Sequence, residues 1–140
     1  MNQPTEARLA AWGFVPLRIV LGFVFFMHGW QKIFDFGISG TADILGKLGL
    51  PLATAAAILL MVVETVGGVA ILLGVFARWV ALALAIEMCI AIPVARFQGG
   101  FFTPYGYEFE MTLLGACLTM AILGSGGMSL DRMFRKASQP

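Results

Sequence analysis

The sequence predicts an all-α integral membrane protein, a four-helix bundle with both its N- and C-termini on the cytoplasmic side. Three observations carry that prediction. Hydrophobic residues make up 59% of the 140-residue chain and charged residues only 12%, against roughly 25% charged in soluble domains, whose surface must face water. Four apolar segments are each long enough for a membrane span of about 20 helical residues. None of them alternates as a barrel strand does, so the backbone polar groups must be satisfied within helices. The length suits one domain, residues 1–140, and the lipid bilayer is its expected solvent.

The first span is expected over residues 14–32. Arg8 and the apolar run after it resemble a signal peptide, but Arg18 interrupts the run and no small-x-small cleavage site closes it, so the segment is expected to stay. A loop follows, rich in glycine, with a short interfacial helix expected over residues 41–48. The second span covers residues 52–75 and the third residues 77–97. The few residues between them, Gly74 to Arg78, impose a tight antiparallel hairpin. A glycine- and aromatic-rich turn leads to the fourth span, residues 107–124, and a basic tail closes the chain. Trp12, Trp30, Trp79, Tyr105 and Tyr107 fall at the span ends as interfacial belts. Arg8, Arg78, Arg132, Arg135 and Lys136 gather on one side, which sets the cytoplasmic face.

Several function classes are excluded by what the chain carries. A net charge of +1 without basic-aromatic interleaving gives no nucleic-acid surface. No Cys/His cluster suggests a metal site, and the chain has no cofactor-binding motif of its own. Cys89 and Cys117 lack CxxC spacing and read as small core residues. His28 is the single histidine. Without a second axial ligand it reads as a hydrogen-bonded imidazole rather than a haem ligand.

The remaining information lies in charges inside the spans, which normally face other helices or a wet cavity. These are Arg18, His28 and Lys32 on the first span, Glu64 on the second, Glu87 on the third, and Glu108 and Glu110 on the fourth. At a rise of about 1.5 Å per residue, Glu64 and Glu87 both sit roughly 15 Å from the hairpin, near mid-bilayer. The sequence leaves open whether they face each other. Small-residue stripes accompany the charges: Gly22 and Gly29 with Arg18 and Lys32; Gly67, Gly68 and Ile71 with Glu64; Ala83 and Ala91 with Glu87; and Thr112, Gly115 and Thr119 with Glu108. Glu64, Glu87, Lys32, His28 and Glu108 are therefore the candidates for substrate binding or proton handling. Lys32 and Arg96 are expected to pair with Glu108 or Glu110. Arg18, near the inner surface, is expected to snorkel as a structural or headgroup contact, and Arg78 opens the third helix.

In this order the residues resemble the DoxX family of small four-helix membrane proteins. The resemblance rests on Arg18 and Gly22; His28-Gly29 with Lys32; Glu64 with Gly67-Gly68 and Gly74; Arg78; Gly106-Tyr107-Glu108; and the run from Gly124 to Asp131. Glu87 and Glu110 have no place in that pattern, so their roles rest on depth alone. The resemblance implies a multi-pass protein of a bacterial cytoplasmic (inner) membrane. It also implies association with membrane redox complexes, among them a thiosulfate:quinone oxidoreductase, with a quinone-like or thiol-derived substrate near Glu64 and Lys32. A redox partner protein would then bring the electron-carrying cofactor. Two other functions fit the same residues: a small-molecule or proton-coupled transporter, which with four helices would work as a homo-oligomer, and a non-catalytic membrane scaffold.

Overall fold

The computed structural model describes residues 3–131 and Met133, with side chains described at Leu9 and from Ala11 onward. Five α-helices follow one another: α1 (Gln3–Gln31), α2 (Gly37–Lys47), α3 (Ala53–Leu73), α4 (Ala77–Ala91) and α5 (Glu108–Leu123). A π-helical turn, Lys32–Phe36, joins α1 to α2, and a second, Ile92–Arg96, extends α4. Pro93, which has no backbone N–H to donate, lies inside the second π turn.

Three helical stretches are long and apolar enough to cross a membrane: Ala11–Lys47, Ala53–Leu73 and Ala77–Gly99. The fourth expected span is shorter. Its helix, α5, has 16 residues, about 24 Å at the rise of an α-helix. The expected interfacial helix after the first span forms as α2 and begins earlier, at Gly37.

The bundle consists of α1 packed on α3 and α4 packed on α5, with α3 against α4 joining the pairs. Glycine sets the approach of α1 and α3. A Cβ added to Gly68 would lie 2.5 Å from Phe26 N and 2.8 Å from Gly22 O, and one added to Gly29 would strike Thr65. Close packing of this kind drives association in lipid, where apolar burial distinguishes little between helix and tail. The described core gathers Leu21, Phe25, Ile71, Leu84, Cys117 and Met120, together with small alanines of α4.

The hairpin between α3 and α4 is as tight as its length requires. Gly74 adopts a left-handed conformation at φ 68°, and the Val75 amide donates to the Ala70 carbonyl at 2.9 Å. The chain then returns after α5 to lock this end. The Asp131 carboxylate accepts from the amides of Phe76 and Ala77, at 2.8 and 3.1 Å, and so caps the start of α4. Gly127 N donates to Ala11 O at 2.7 Å, so the run after α5 lies against the start of the first span. The side chains of Arg8, Arg132, Arg135 and Lys136, on which the orientation expectation leaned, lie outside the described residues.

Two of the expected stripes do not form the interior. On α4 the buried residues are Ala77, Ala81, Leu84, Ala85 and Met88, while Ala83 is exposed. On α5 they are Glu110, Leu113, Cys117 and Met120, while Thr112 and Gly115 face outward. The threonines tolerate this because Thr112 and Thr119 donate to their own helix, to Glu108 O and Gly115 O, each at 2.8 Å. A hydroxyl satisfied in this way can face lipid. Cys89 is likewise exposed rather than in the core, whereas Cys117 is buried.

Candidate functional site

Glu64 stands midway along α3, a helix of 21 residues, and is only 3% exposed. Gly67 and Gly68, next to it on the same face, let α4 and α1 approach, so the carboxylate is enclosed by helices instead of lipid. Lys32 reaches it from the first residue of the π turn that follows α1. Its Nζ lies 2.8 Å from Glu64 Oε1 and 2.6 Å from Oε2. Both carboxylate oxygens are therefore held by one ammonium. This replaces the expected pairing of Lys32 with Glu108 or Glu110.

Glu87 completes the group from α4. Its carboxyl is in hydrogen-bond contact with that of Glu64 and within electrostatic range of Lys32. The two carboxylates thus face each other, which the sequence had left open. Carboxylate oxygens carry no hydrogen of their own, so this contact is bonding only when a proton sits between them. With that proton the triad of one ammonium and two carboxyl groups is neutral overall, which is the condition under which charge is tolerated at this depth. Glu87 Oε2 is buried and accepts no hydrogen bond from the described residues. Cys117 of α5, fully buried, lies within electrostatic range of Glu87. The π turn after α1 and the helices α3, α4 and α5 therefore each contribute a residue to this group.

Cys117 was read from sequence only as core. Counting residues back from Gly124 puts it within about one helical turn of Glu87 in depth, a signal that was present but weak.

The other candidates are placed elsewhere. His28 lies on α1. Its Nδ1 is 2.9 Å from Val24 O, and its ring stacks on Phe109 of α5 at 5.7 Å between centroids. It therefore joins α1 to α5 and does not touch the carboxylates. Glu108 is outside the group altogether: its Oε1 accepts from the amide and the hydroxyl of Thr103, at 2.8 and 2.6 Å, at the start of α5. A groove lined by Phe101, Thr103, Glu108, Phe109, Met111 and Thr112 opens beside it, away from the triad. The buried carboxylate of α5 is Glu110, which accepts from Arg96 Nε at 2.7 Å. The expected Arg96 partnership thus forms with Glu110.

Arg18 does not snorkel to a surface. It is 4% exposed, and its guanidinium donates to the carbonyls of Ser125, Gly127 and Met128 at 3.0, 3.2 and 2.8 Å. It is a structural clasp for the run after α5, not a headgroup contact. Gly74 makes room for it, since a Cβ there would lie 2.8 Å from an Arg18 nitrogen. Arg78 Nε donates to Ala121 O at 3.0 Å, tying α4 to the end of α5.

Among the described residues no group of three or more His, Cys, Asp or Glu is arranged to hold a metal ion. What the triad can do chemically is accept, hold and return a proton, and offer an ammonium and a carboxyl oxygen to a polar head.

Comparison with known proteins agrees with the pattern of helices and charges. The DoxX family profile matches residues 13–97. An "Uncharacterized protein" of Haemophilus influenzae is 35% identical, over 86% of this chain and 89% of its own. "Putative oxidoreductase CatD" of Bacillus subtilis is 31% identical, over 85% of this chain and 84% of its own. "Inner membrane protein YphA" of Escherichia coli is 30% identical, over 82% and 85%. No solved structure matches the chain. With three apolar helices of spanning length and the family match running from α1 to the end of α4, the chain belongs to the DoxX family and is a multi-pass protein of a bacterial inner membrane.

Proposed function

We propose that this chain is a membrane subunit of a redox complex, in which the Lys32–Glu64–Glu87 triad seats the polar head of a quinone-like molecule and exchanges a proton with it. The observation that carries the reading is the triad itself: an ammonium from the turn after α1 and two carboxyl groups, from α3 and α4, brought together inside the bundle. Oxidation of a quinol releases two electrons and two protons. A carboxyl group of the triad can take a proton, but the electrons need a separate carrier. Cys89 and Cys117 are both free thiols, one outward and one buried, so no dithiol in this chain serves as that carrier. A partner protein supplies it. The name of the Bacillus subtilis relative, "Putative oxidoreductase CatD", points in the same direction.

On this reading the basic residues set both termini on the cytoplasmic side. Fusing a reporter that is active only in the periplasm to the C-terminus checks this side; activity there would reverse it.

The function is tested by purifying tagged protein from native membranes in mild detergent, as wild type and as Glu64→Gln, and identifying all bound molecules by mass spectrometry. A redox enzyme together with a quinone that is lost in the variant supports the reading. A homo-oligomer without either moves the assignment to transport. Unaltered cellular function in a folded Glu64→Gln variant moves it to a scaffold.

A further inference from the structure

The two carboxyl groups of the triad do not stand in equivalent surroundings. Glu64 is 3% exposed, and both its oxygens are taken up by the Lys32 ammonium at 2.6 and 2.8 Å. Glu87 is only half-buried, and its single contact of hydrogen-bond quality among the described groups is with Glu64. Its Oε2 is buried without a hydrogen-bond partner, and among the described residues no cation pairs with it as Lys32 pairs with Glu64. The groups facing Glu87 are Lys32 from the α1 side, Glu64 from α3 and Cys117 from α5. Only Glu64 and Lys32 carry charge among them, and they neutralise each other. A proton on Glu87 therefore meets no net field that would expel it, while a proton on Glu64 would have to displace the ammonium from an oxygen it already holds.

We infer that Glu87 is the proton-exchanging residue of the triad, and that Glu64 and Lys32 are a positioning pair which holds the proton on Glu87. This rests on the reading of the triad as a proton-handling site. It names the residue which that reading leaves open, and it is one the family pattern does not contain.

The inference is tested without any partner protein or quinone. A hydrophobic carbodiimide such as dicyclohexylcarbodiimide enters bilayers and reacts with protonated carboxyl groups. The acid adds across one C=N bond, its proton going to nitrogen and its oxygen to the central carbon, and the adduct rearranges to a stable N-acylurea. Purified wild-type protein in lipid nanodiscs is labelled, digested and mapped by mass spectrometry. The inference expects the adduct on Glu87, with Glu64 labelled at least tenfold less. Labelling of Glu64 in preference to Glu87, or of neither, overturns it.

A second arm uses Lys32→Met, checked for a monodisperse, helical product. Release of the ammonium is expected to bring Glu64 labelling up to that of Glu87. If Glu64 stays unlabelled in the folded variant, Lys32 is not what spares it and the positioning role fails. Failure of the redox reading looks different: labelling at Glu87 persists, but ubiquinone or menaquinone added to the nanodiscs does not slow it.

Discussion

Two levels of the bundle answer the same problem in opposite ways. At the end where the run after α5 lies against the first span, charged side chains are answered by backbone. Arg18 donates to three carbonyls, Asp131 accepts from two amides, and Arg78 donates to a third helix's last turn. At the level of Lys32, Glu64 and Glu87 the charges are answered by one another. Backbone groups cannot titrate or leave, so the first arrangement only holds the helices. Side chains can exchange a proton or a partner, so the second can work. A buried charge alone does not mark function in this molecule; the kind of group that answers it does.

Substitutions that exchange the roles of these two regions test the contrast. The largest stability effect is expected at Arg18. Arg18→Met strips donors from three carbonyls, and each buried acceptor left unsatisfied costs about 1–3 kcal/mol. Loss of monodisperse protein on size exclusion is the expected result, with no variant of the triad equally severe.

Next comes Lys32→Met, which leaves Glu64 buried without its cation at a cost of about 3–5 kcal/mol. The double variant Lys32→Met/Glu64→Met is expected to recover most of that stability, as removal of both partners of a buried pair often does. Thermal unfolding in nanodiscs measures both. Failure of the double variant to recover would make the pair structural, like the Arg18 clasp.

Gly68→Ala replaces no charged group of either region. Its new Cβ would meet the backbone of Phe26 and Gly22, and overpacking of this kind costs about 1–3 kcal/mol. A lowered melting temperature with unchanged carbodiimide labelling is the expected pair of results. The smallest effect is expected from Glu108→Gln. Glu108 only receives Thr103 at the start of α5, and a surface change of this kind shifts stability by about 0.5 kcal/mol or less. Bound molecules and labelling should match wild type.

The fold was largely legible because membrane spans write themselves as long apolar runs. The hairpin followed from the few residues between Gly74 and Arg78, and the depth of Glu64 and Glu87 followed from counting along two helices that share an end. Which face of a span points inward was much less legible. In water, burial and exposure differ in polarity. In lipid, the interior and the outside are both apolar, so Leu113, Cys117 and Met120 lie inside α5 while Thr112 lies outside. The stripe that favoured Glu108 over Glu110 failed for that reason. It assumed that small polar residues seek the interior, although a threonine bonded to its own helix has no need to.

Long-range partners were equally hidden. Arg18 announces a buried charge, but its acceptors lie more than a hundred positions away, on the run after α5. The position of Lys32 depends on the π turn in which it sits, and nothing in the local sequence specifies that turn as opposed to a continuing α-helix. Glu64 and Lys32 could be nominated separately; their contact could not.

The central claim is that the triad works and the clasp only holds. The most direct measurement is the quinone content of purified Lys32→Met/Glu64→Met compared with wild type, at equal thermal stability. The account predicts a folded variant whose bound quinone falls at least tenfold. A stable double variant that keeps its quinone at wild-type level would contradict it.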